Sequence, residues 1–401
     1  MKLFLAIGAL AFGLLSSGAF AQPQSTAEFD ALQAQRMAFL QRGGDLVLDV
    51  DALQPQEIVP GRDGRPFRQV AGWRRALSQK AVDEAIAYVK PFNTQALLVW
   101  HKGALQLEWY GEGFDRNSRS SPASMMKPVM ALAMGAAIDA GKIKSIDDPV
   151  GAYIDEWKND PRGAITLRQV LQMSTGLAFD SSRDPNARPM RLLMGTDIQG
   201  VTLETPMAKA PGAEFQYNNF NSQVGGLIIE RATGMRFSQW LSRSVWTPID
   251  ARDASVWLDR PGGMARTYCC LIATAQDWLR VGLLIKNEGR ARGRQIVSKA
   301  FIRDMLTPSP LNANFGFQVW FGAPWVQQRS YGPAIAVTIP FSREATYAPD
   351  LVFFDGSGGQ RVYISRKSDF VIVRIGKSTF AWDDAVLPNI IANDLLRVTV
   401  L

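Results

Sequence analysis

Ser124 and Lys127 are spaced three residues apart in the one Ser-x-x-Lys of this 401-residue chain. A nearly unbroken apolar run, Val129 to Ile138, follows them, and Gly141 closes it. Such a run ending in glycine predicts a helix, and one apolar on all sides predicts a buried helix. Ser124 then sits at the helix N-terminus, where unpaired N–H groups and the helix dipole favour developing negative charge. The spacing puts Lys127 on the same face as Ser124. Pro128 falls early enough that its missing N–H costs little. A lysine at the mouth of a buried helix is partly desolvated, which lowers its pKa and lets it accept a proton. A serine beside such a base is an activated nucleophile. On the tetrapeptide alone, a solvated surface lysine is the competing reading.

Tyr217-Asn218-Asn219 is the one Tyr-x-Asn of the chain, and it precedes a predicted helix. A phenol with an ordinary pKa of about 10 must be held near a cation to exchange protons at neutral pH, and Lys127 could supply that charge. The Asn219 amide can donate to a substrate carbonyl and accept from the lysine. A half-buried aromatic on a loop is the bland alternative for Tyr217.

Other chemistries are poorly served. A Ser-His-Asp triad would have to use His101, the single histidine, and no Gly-x-Ser-x-Gly elbow is present. His101 falls at the tip of a predicted hairpin, where solvation is expected. Cys269 and Cys270 are adjacent, with Cα atoms about 3.8 Å apart, closer than ordinary disulfide geometry. Two buried free thiols are therefore expected. With one histidine a zinc site is unsupported, and no metal or cofactor is expected. The net charge of +7 comes from scattered Lys and Arg, so a nucleic-acid partner is not expected. Met1-Lys2, an apolar stretch through Leu15 and Ala19-Phe20-Ala21 read as a cleavable signal peptide over residues 1–21, cut after Ala21. This predicts a secreted or periplasmic protein without a stable membrane anchor.

The elements that must position these residues follow from pattern. Residues 22–85 are polar and turn-rich and read as a surface extension. Leu97 to Tyr110 reads as two strands joined at Lys102-Gly103. Helices are expected over 149–157, 167–173 with Thr166 as N-cap, 221–233 ended by Gly234, 273–286, 298–306 and 385–396. Strands are expected over 315–321, 351–354, 360–365 and 370–375. Strands at both ends with helices between them predict an α+β fold: an antiparallel sheet, flanking helices and a mostly helical insertion over roughly 142–260. The site would lie in the cleft between sheet and insertion.

Several stretches carry a family likeness. They include Ile138-Asp139-Ala140-Gly141-Lys142-Ile143, Ser145-Ile146-Asp147-Asp148-Pro149-Val150, residues 165–177, residues 215–230, Ile272 to Trp278, and Gly358-Gly359-Gln360. With Ser124-x-x-Lys127 and Tyr217-x-Asn219 in order, residues 86–401 resemble the serine β-lactamase and penicillin-binding-protein superfamily. Within it the likeness is to class C β-lactamase-related hydrolases and esterases, including 6-aminohexanoate-dimer hydrolases. The resemblance implies a β-lactamase-like fold with Ser124 as acylated nucleophile. It also implies that Lys127 and Tyr217 share proton transfer, and that Asn219 orients the lysine and the substrate. The third motif of the family, Lys-Thr-Gly or His-x-Gly, falls here on Phe354-Asp355-Gly356. Ser357 would then supply one oxyanion-hole N–H and Ser124 the other.

That third motif departs from the family pattern. Its usual lysine attracts a β-lactam carboxylate; Phe354 cannot, and Asp355 would repel one. At about 4 Å in a partly screened cleft the reversal spans several kcal/mol. Alternatively Asp355 caps a turn or pairs with an arginine such as Arg361. The sequence thus predicts an exported serine hydrolase that cleaves small-molecule esters or amides through an acyl-enzyme and is a poor β-lactamase. A β-lactamase or D-Ala-D-Ala carboxypeptidase is the alternative within the same chemistry. A catalytically silent binding relative is the alternative from another class. Oligomeric state is not set by these patterns.

Overall fold

A computed structural model describes residues 26–335, 341–377 and 379–397. The predicted signal peptide lies outside the described residues.

Two antiparallel sheets organise the molecule. The strands, in chain order, are β1 (Gln56–Val59), β2 (Thr94–His101), β3 (Ala104–Tyr110), β4 (Arg119–Ser120), β5 (Ala254–Trp257) and β6 (Leu271–Thr274). They continue with a small hairpin, β7 (Arg290–Ala291) and β8 (Arg294–Gln295), then β9 (Trp320–Phe321), β10 (Val352–Gly356), β11 (Gln360–Ser365) and β12 (Phe370–Gly376). The larger sheet has the order β3-β2-β12-β11-β10-β9, and the smaller the order β1-β5-β6-β4. β2, from early in the chain, pairs with β12 from its end, with Ile372 opposite Val99 and Val371 opposite Trp100. The two ends of the chain therefore close one sheet.

The larger sheet is covered on both faces, so the middles of its central strands β2, β11 and β12 carry apolar residues on both sides. Period-two alternation sends Leu98, Trp100, Val371 and Val373 into one apolar core and Leu97, Val99, Phe370 and Ile372 into another. The helices, in chain order, are α1 (Thr26–Gln41), α2 (Gln79–Val89), α3 (Met126–Asp139), α4 (Leu167–Leu171), α5 (Arg188–Met194) and α6 (Ile198–Leu203). They continue with α7 (Asn219–Thr233), α8 (Phe237–Leu241), α9 (Ala275–Lys286), α10 (Lys299–Met305) and α11 (Val386–Arg397). α2 and α11 pack together over one face of the sheet, and α9 lies on the other. Gly282 permits that second contact, since a Cβ there would sit 2.7 Å from Val371 and 2.8 Å from Val362.

α3 runs through the larger core with residues 126–137 buried all round, against α7. Gly141 ends it at φ 67°. The N-terminal stretch shares this core: Val47, Leu53 and Val59 are buried in it, and β1 pairs with β5.

Some expected elements differ. Residues 149–157 form only short 3-10 turns, Val150–Ala152 and Asp155–Trp157. Within 315–321 only Trp320–Phe321 is strand, because Gln318 takes a left-handed φ of 61° and folds the segment back onto Leu171. α1 and α2 lie in the stretch read as turn-rich. His101 is buried, not solvated: Phe370 pairs opposite it, and its Nδ1 lies 3.0 Å from the Asp369 carbonyl. Burial pushes its pKa below the ordinary value. Cys269 and Cys270 are not free thiols but a vicinal disulfide. The backbone accommodates the bridge through a turn in which Cys270 takes φ 74°.

Candidate active site

The turn that carries Ser124 is tight. Ala123 holds a left-handed φ of 48°, and Ala123–Met125 form a 3-10 turn running into α3. A non-glycine residue in that region is uncommon and costs of order 1–3 kcal/mol, a cost tolerated where surrounding structure over-determines it. β10 passes directly beside the turn. Gly356 makes the approach possible: a Cβ there would lie 2.3 Å from the Pro122 carbonyl oxygen and 2.6 Å from Gln360 Cβ.

Lys127, one residue into α3, turns back onto Ser124 as its spacing predicts. Its Nζ lies 2.8 Å from Ser124 Oγ, 2.8 Å from Asn219 Oδ1 and 2.9 Å from the Tyr268 carbonyl oxygen. The side chain is 1 % exposed. Burial pulls its pKa from the ordinary lysine value down to about 7, with Asp355 opposing.

Asn219 is brought there by the start of α7. Asn218, the middle residue of Tyr217-x-Asn219, caps that helix by accepting from Phe220 N–H at 3.1 Å. Its own amide nitrogen donates to the Ala178 carbonyl at 3.2 Å. Tyr217 precedes the cap and lies against Trp320 and Tyr331, with ring centroids 5.8 and 5.1 Å away. Its N–H donates to the Tyr331 carbonyl at 2.8 Å, and it lines the same cavity as Ser124. Burial, reinforced by Asp355 and Tyr331, pushes the Tyr217 pKa well above 10. Lys127 Nζ sits over the ring face of Tyr217, 5.0 Å from the centroid. Of the two groups, burial keeps the Tyr217 phenol protonated at neutral pH and brings the Lys127 ammonium into titrating range.

On β10, Phe354 is fully buried and faces the core, while Asp355 turns to the cleft side. Asp355 pairs with arginines, the second of the two alternatives open from sequence. Its Oδ1 lies 2.6 Å from Arg361, its Oδ2 lies 3.0 Å from Arg329, and the Tyr331 hydroxyl donates to it. Asp384 completes the ring, accepting from Arg361 at 2.6 Å, from Arg329, and from the Tyr363 hydroxyl at 3.1 Å. Two aspartates and two arginines cancel, so Asp355 is not a bare repelling charge. Burial alone would raise the Asp384 pKa, but Arg329 and Arg361 hold it below the usual carboxylate range.

Ser124, Tyr217, Asp355 and the exposed Ser357 line one cavity of about 430 Å³. Gly356 shapes its floor without lining it. Tyr331, Phe341, Phe380 and Trp382 form most of the remaining wall, with Arg361 beside them. Phe380 is 76 % exposed at the mouth. Sequence reasoning missed Arg329, Tyr331 and Asp384, whose loops carry no motif. It also missed Tyr268, which acts through a backbone carbonyl and so leaves no side-chain signature. Among the described residues, no group of three or more His, Cys, Asp or Glu could hold a metal ion.

Comparison with known proteins agrees with this architecture. Over 226 residues the chain is 29% identical to the 6-aminohexanoate-dimer hydrolase of Paenarthrobacter ureafaciens, covering 53% of this chain and 57% of that one. Over 150 residues it is 24% identical to protein flp of Staphylococcus aureus, covering 35% and 30%. The matched stretches thus span about half or less of these relatives' own lengths. Among solved structures, a Bacillus anthracis protein provisionally described as a 6-aminohexanoate-dimer hydrolase superposes with a TM-score of 0.69 at 21% identity, covering 88% of this chain and 94% of that one. A beta-lactamase from Mycobacterium bovis superposes at 0.55 and 18% identity, covering 79% and 100%. These last two likenesses establish the fold. The family model described as Beta-lactamase matches residues 86–392, and the chain therefore belongs to the beta-lactamase family of serine hydrolases.

Proposed function

We propose that this protein is an exported hydrolase that opens small ester or amide bonds by transferring the acyl group to Ser124. The hydrogen-bond pattern at Lys127 carries this reading. As an ammonium, Lys127 donates to all three of its partners. As a neutral amine it has two hydrogens and one lone pair. Asn219 Oδ1 and the Tyr268 carbonyl can only accept, so they take both hydrogens. The lone pair is left facing Ser124 Oγ, whose hydroxyl donates to it. With a pKa of about 7, a large fraction of Lys127 is in this form at neutral pH.

Ser124 Oγ attacks the carbonyl carbon as its proton moves to Lys127 Nζ. The oxyanion is received by the N–H groups of Ser124 and Ser357, each such donor being worth about 100- to 1,000-fold in rate. The tetrahedral species collapses as the leaving group takes a proton from Lys127 through the neutral Tyr217 hydroxyl. Water then attacks the acyl-Ser124 ester, with its proton drawn to Lys127; collapse breaks the acyl–Oγ bond as Ser124 Oγ takes that proton from Lys127, which releases the acid and restores the serine.

The aromatic wall and the internally cancelled charges favour neutral substrates with an apolar acyl group. Arg329 and Arg361 are both engaged by Asp355 and Asp384, which leaves neither as a ready partner for a β-lactam carboxylate. Hydrolysis of a 6-aminohexanoate dimer by the Paenarthrobacter relative, as its name states, is in keeping with this chemistry. Export rests on the apolar leader and the Ala19-Phe20-Ala21 site.

A fluorophosphonate probe and a panel of ester, amide and β-lactam substrates test the reading. Wild type should label on Ser124 and turn over neutral esters or amides, and Ser124→Ala should do neither. Equal labelling of the two proteins, or β-lactams as the fastest substrates, would overturn it.

A further inference from the structure

The third partner of Lys127 deserves a cause of its own. The Tyr268 carbonyl belongs to the peptide that leads directly into the Cys269–Cys270 disulfide. Just before it, Thr267 N–H donates to Gln223 Oε1 at 3.1 Å and Thr267 Oγ1 donates to the Ser222 carbonyl at 2.9 Å, both on α7. Just after it, the Cys270 carbonyl accepts from Trp257 N–H at 3.2 Å on β5. The Tyr268 hydroxyl is tied to the Leu192 carbonyl at 3.0 Å. The segment is thus pinned at both ends, and the intervening backbone reverses through Cys270 at φ 74°. A bulkier-than-glycine residue rarely rests in that conformation. The disulfide closes a small covalent ring that fixes the Cys269–Cys270 peptide through the reversal, so the adjoining 268–269 peptide, held by the Thr267 bonds on one side and by that ring on the other, has fewer ways to swing its carbonyl off Lys127.

We propose that the vicinal Cys269–Cys270 bridge is a positioning element for the base: it holds the Tyr268 carbonyl on Lys127, and opening it lowers the rate of Ser124 acylation. The proposal rests on Lys127 acting as the base for Ser124. Without a fixed acceptor at Tyr268, the neutral amine no longer has both hydrogens committed, and its lone pair no longer rests on Ser124 Oγ. Opening the bridge requires a dithiol reductant. Its thiolate attacks one sulfur, the S–S bond breaks to a mixed disulfide, and its second thiol releases the protein as two thiols while the reductant leaves as its own disulfide. Both sulfurs are buried, with Cys269 and Cys270 7 % and 3 % exposed, so the bridge is shielded until the segment opens.

The test compares fluorophosphonate labelling rates and ester kinetics of four proteins. These are the oxidised wild type, the wild type reduced by dithiothreitol with both thiols verified by mass spectrometry, Cys269→Ala/Cys270→Gly, and Lys127→Ala. Glycine keeps the left-handed backbone accessible while removing the bridge, and thermal melts confirm that each protein is folded. Reduced and double-variant proteins should acylate about 10- to 100-fold more slowly, the range expected when a reacting group is misplaced by a fraction of an ångström to an ångström. The fall should be in kcat with KM little changed, and reoxidation of the reduced wild type should restore it. Undiminished acylation in a folded, fully reduced protein would overturn the proposal. Full activity in Lys127→Ala would instead overturn the base assignment beneath it.

Discussion

Lys127 is an ordinary ammonium in an unfolded chain and a group with a pKa of about 7 in the folded one, chiefly through burial. Two consequences follow at the scale of this residue. On the proposed mechanism activity needs the neutral amine, so kcat/KM should rise with pH along a limb centred near 7, then level off; a limb centred near 10 would exclude Lys127 as the base. Stability follows the same proton with a defined sign. Between about pH 7 and the ordinary lysine pKa the unfolded state binds a proton that the folded state lacks, so stability increases with pH across that window. Lys127→Met should lack the increase, which urea melts at several pH values would reveal. The Ser124–Lys127 pair was legible because helical spacing alone brings i and i+3 together, and Tyr217 and Asn219 were legible as a compact motif ahead of a helix. Tyr268 was not, since a carbonyl acceptor has no residue type. The charge on Asp355 was visible, but its neutralisation by Arg329, 26 residues away on an irregular loop, was not.

Among elements, β10 and the Ser124 turn matter most, because the cleft exists only if they nearly touch. Gly356→Ala would press a methyl group against the Pro122 carbonyl, a backbone atom that cannot swing aside. The expected result is a loss of about 1–3 kcal/mol in stability, together with a fall in kcat larger than that loss accounts for; denaturant melts and ester kinetics on the same preparation separate the two. Pattern located α3, α7 and the strands β2, β3, β11 and β12 because each carries a long periodic or apolar signal. It failed where tertiary contacts override local preference. Residues 149–157 pack as separate turns, and Gln318 breaks an apolar run by hydrogen-bonding to Ser222 and to the Val170 and Leu171 carbonyls. α1 has almost no apolar face to announce it.

What holds α1 to the molecule is instead Arg36. Its buried guanidinium donates to the carbonyls of Met194, Gly195, Asp259, Gln54 and Leu258, joining α1, α5 and the approach to β1 at one point. Burial, with Arg266 nearby, lowers its pKa to about 9. Arg36→Met would strand those buried carbonyls and should cost about 3 kcal/mol or more, read as a lower denaturation midpoint with the cooperative transition retained. The α+β architecture was legible from strands at both chain ends. The integration of the N-terminal stretch was not, because its anchor is one polar side chain and a four-residue strand. The trio around Lys127 Nζ depends on tertiary structure in the same way: Ser124, Asn219 and Tyr268 are remote from one another in sequence and meet only in the folded chain. On the proposed mechanism, a chain still in transit or partly misfolded carries Ser124 as an unreactive alcohol beside a charged lysine. A covalent serine probe therefore counts native molecules, and a chaperone or translocation machine that keeps the chain open also keeps it chemically harmless.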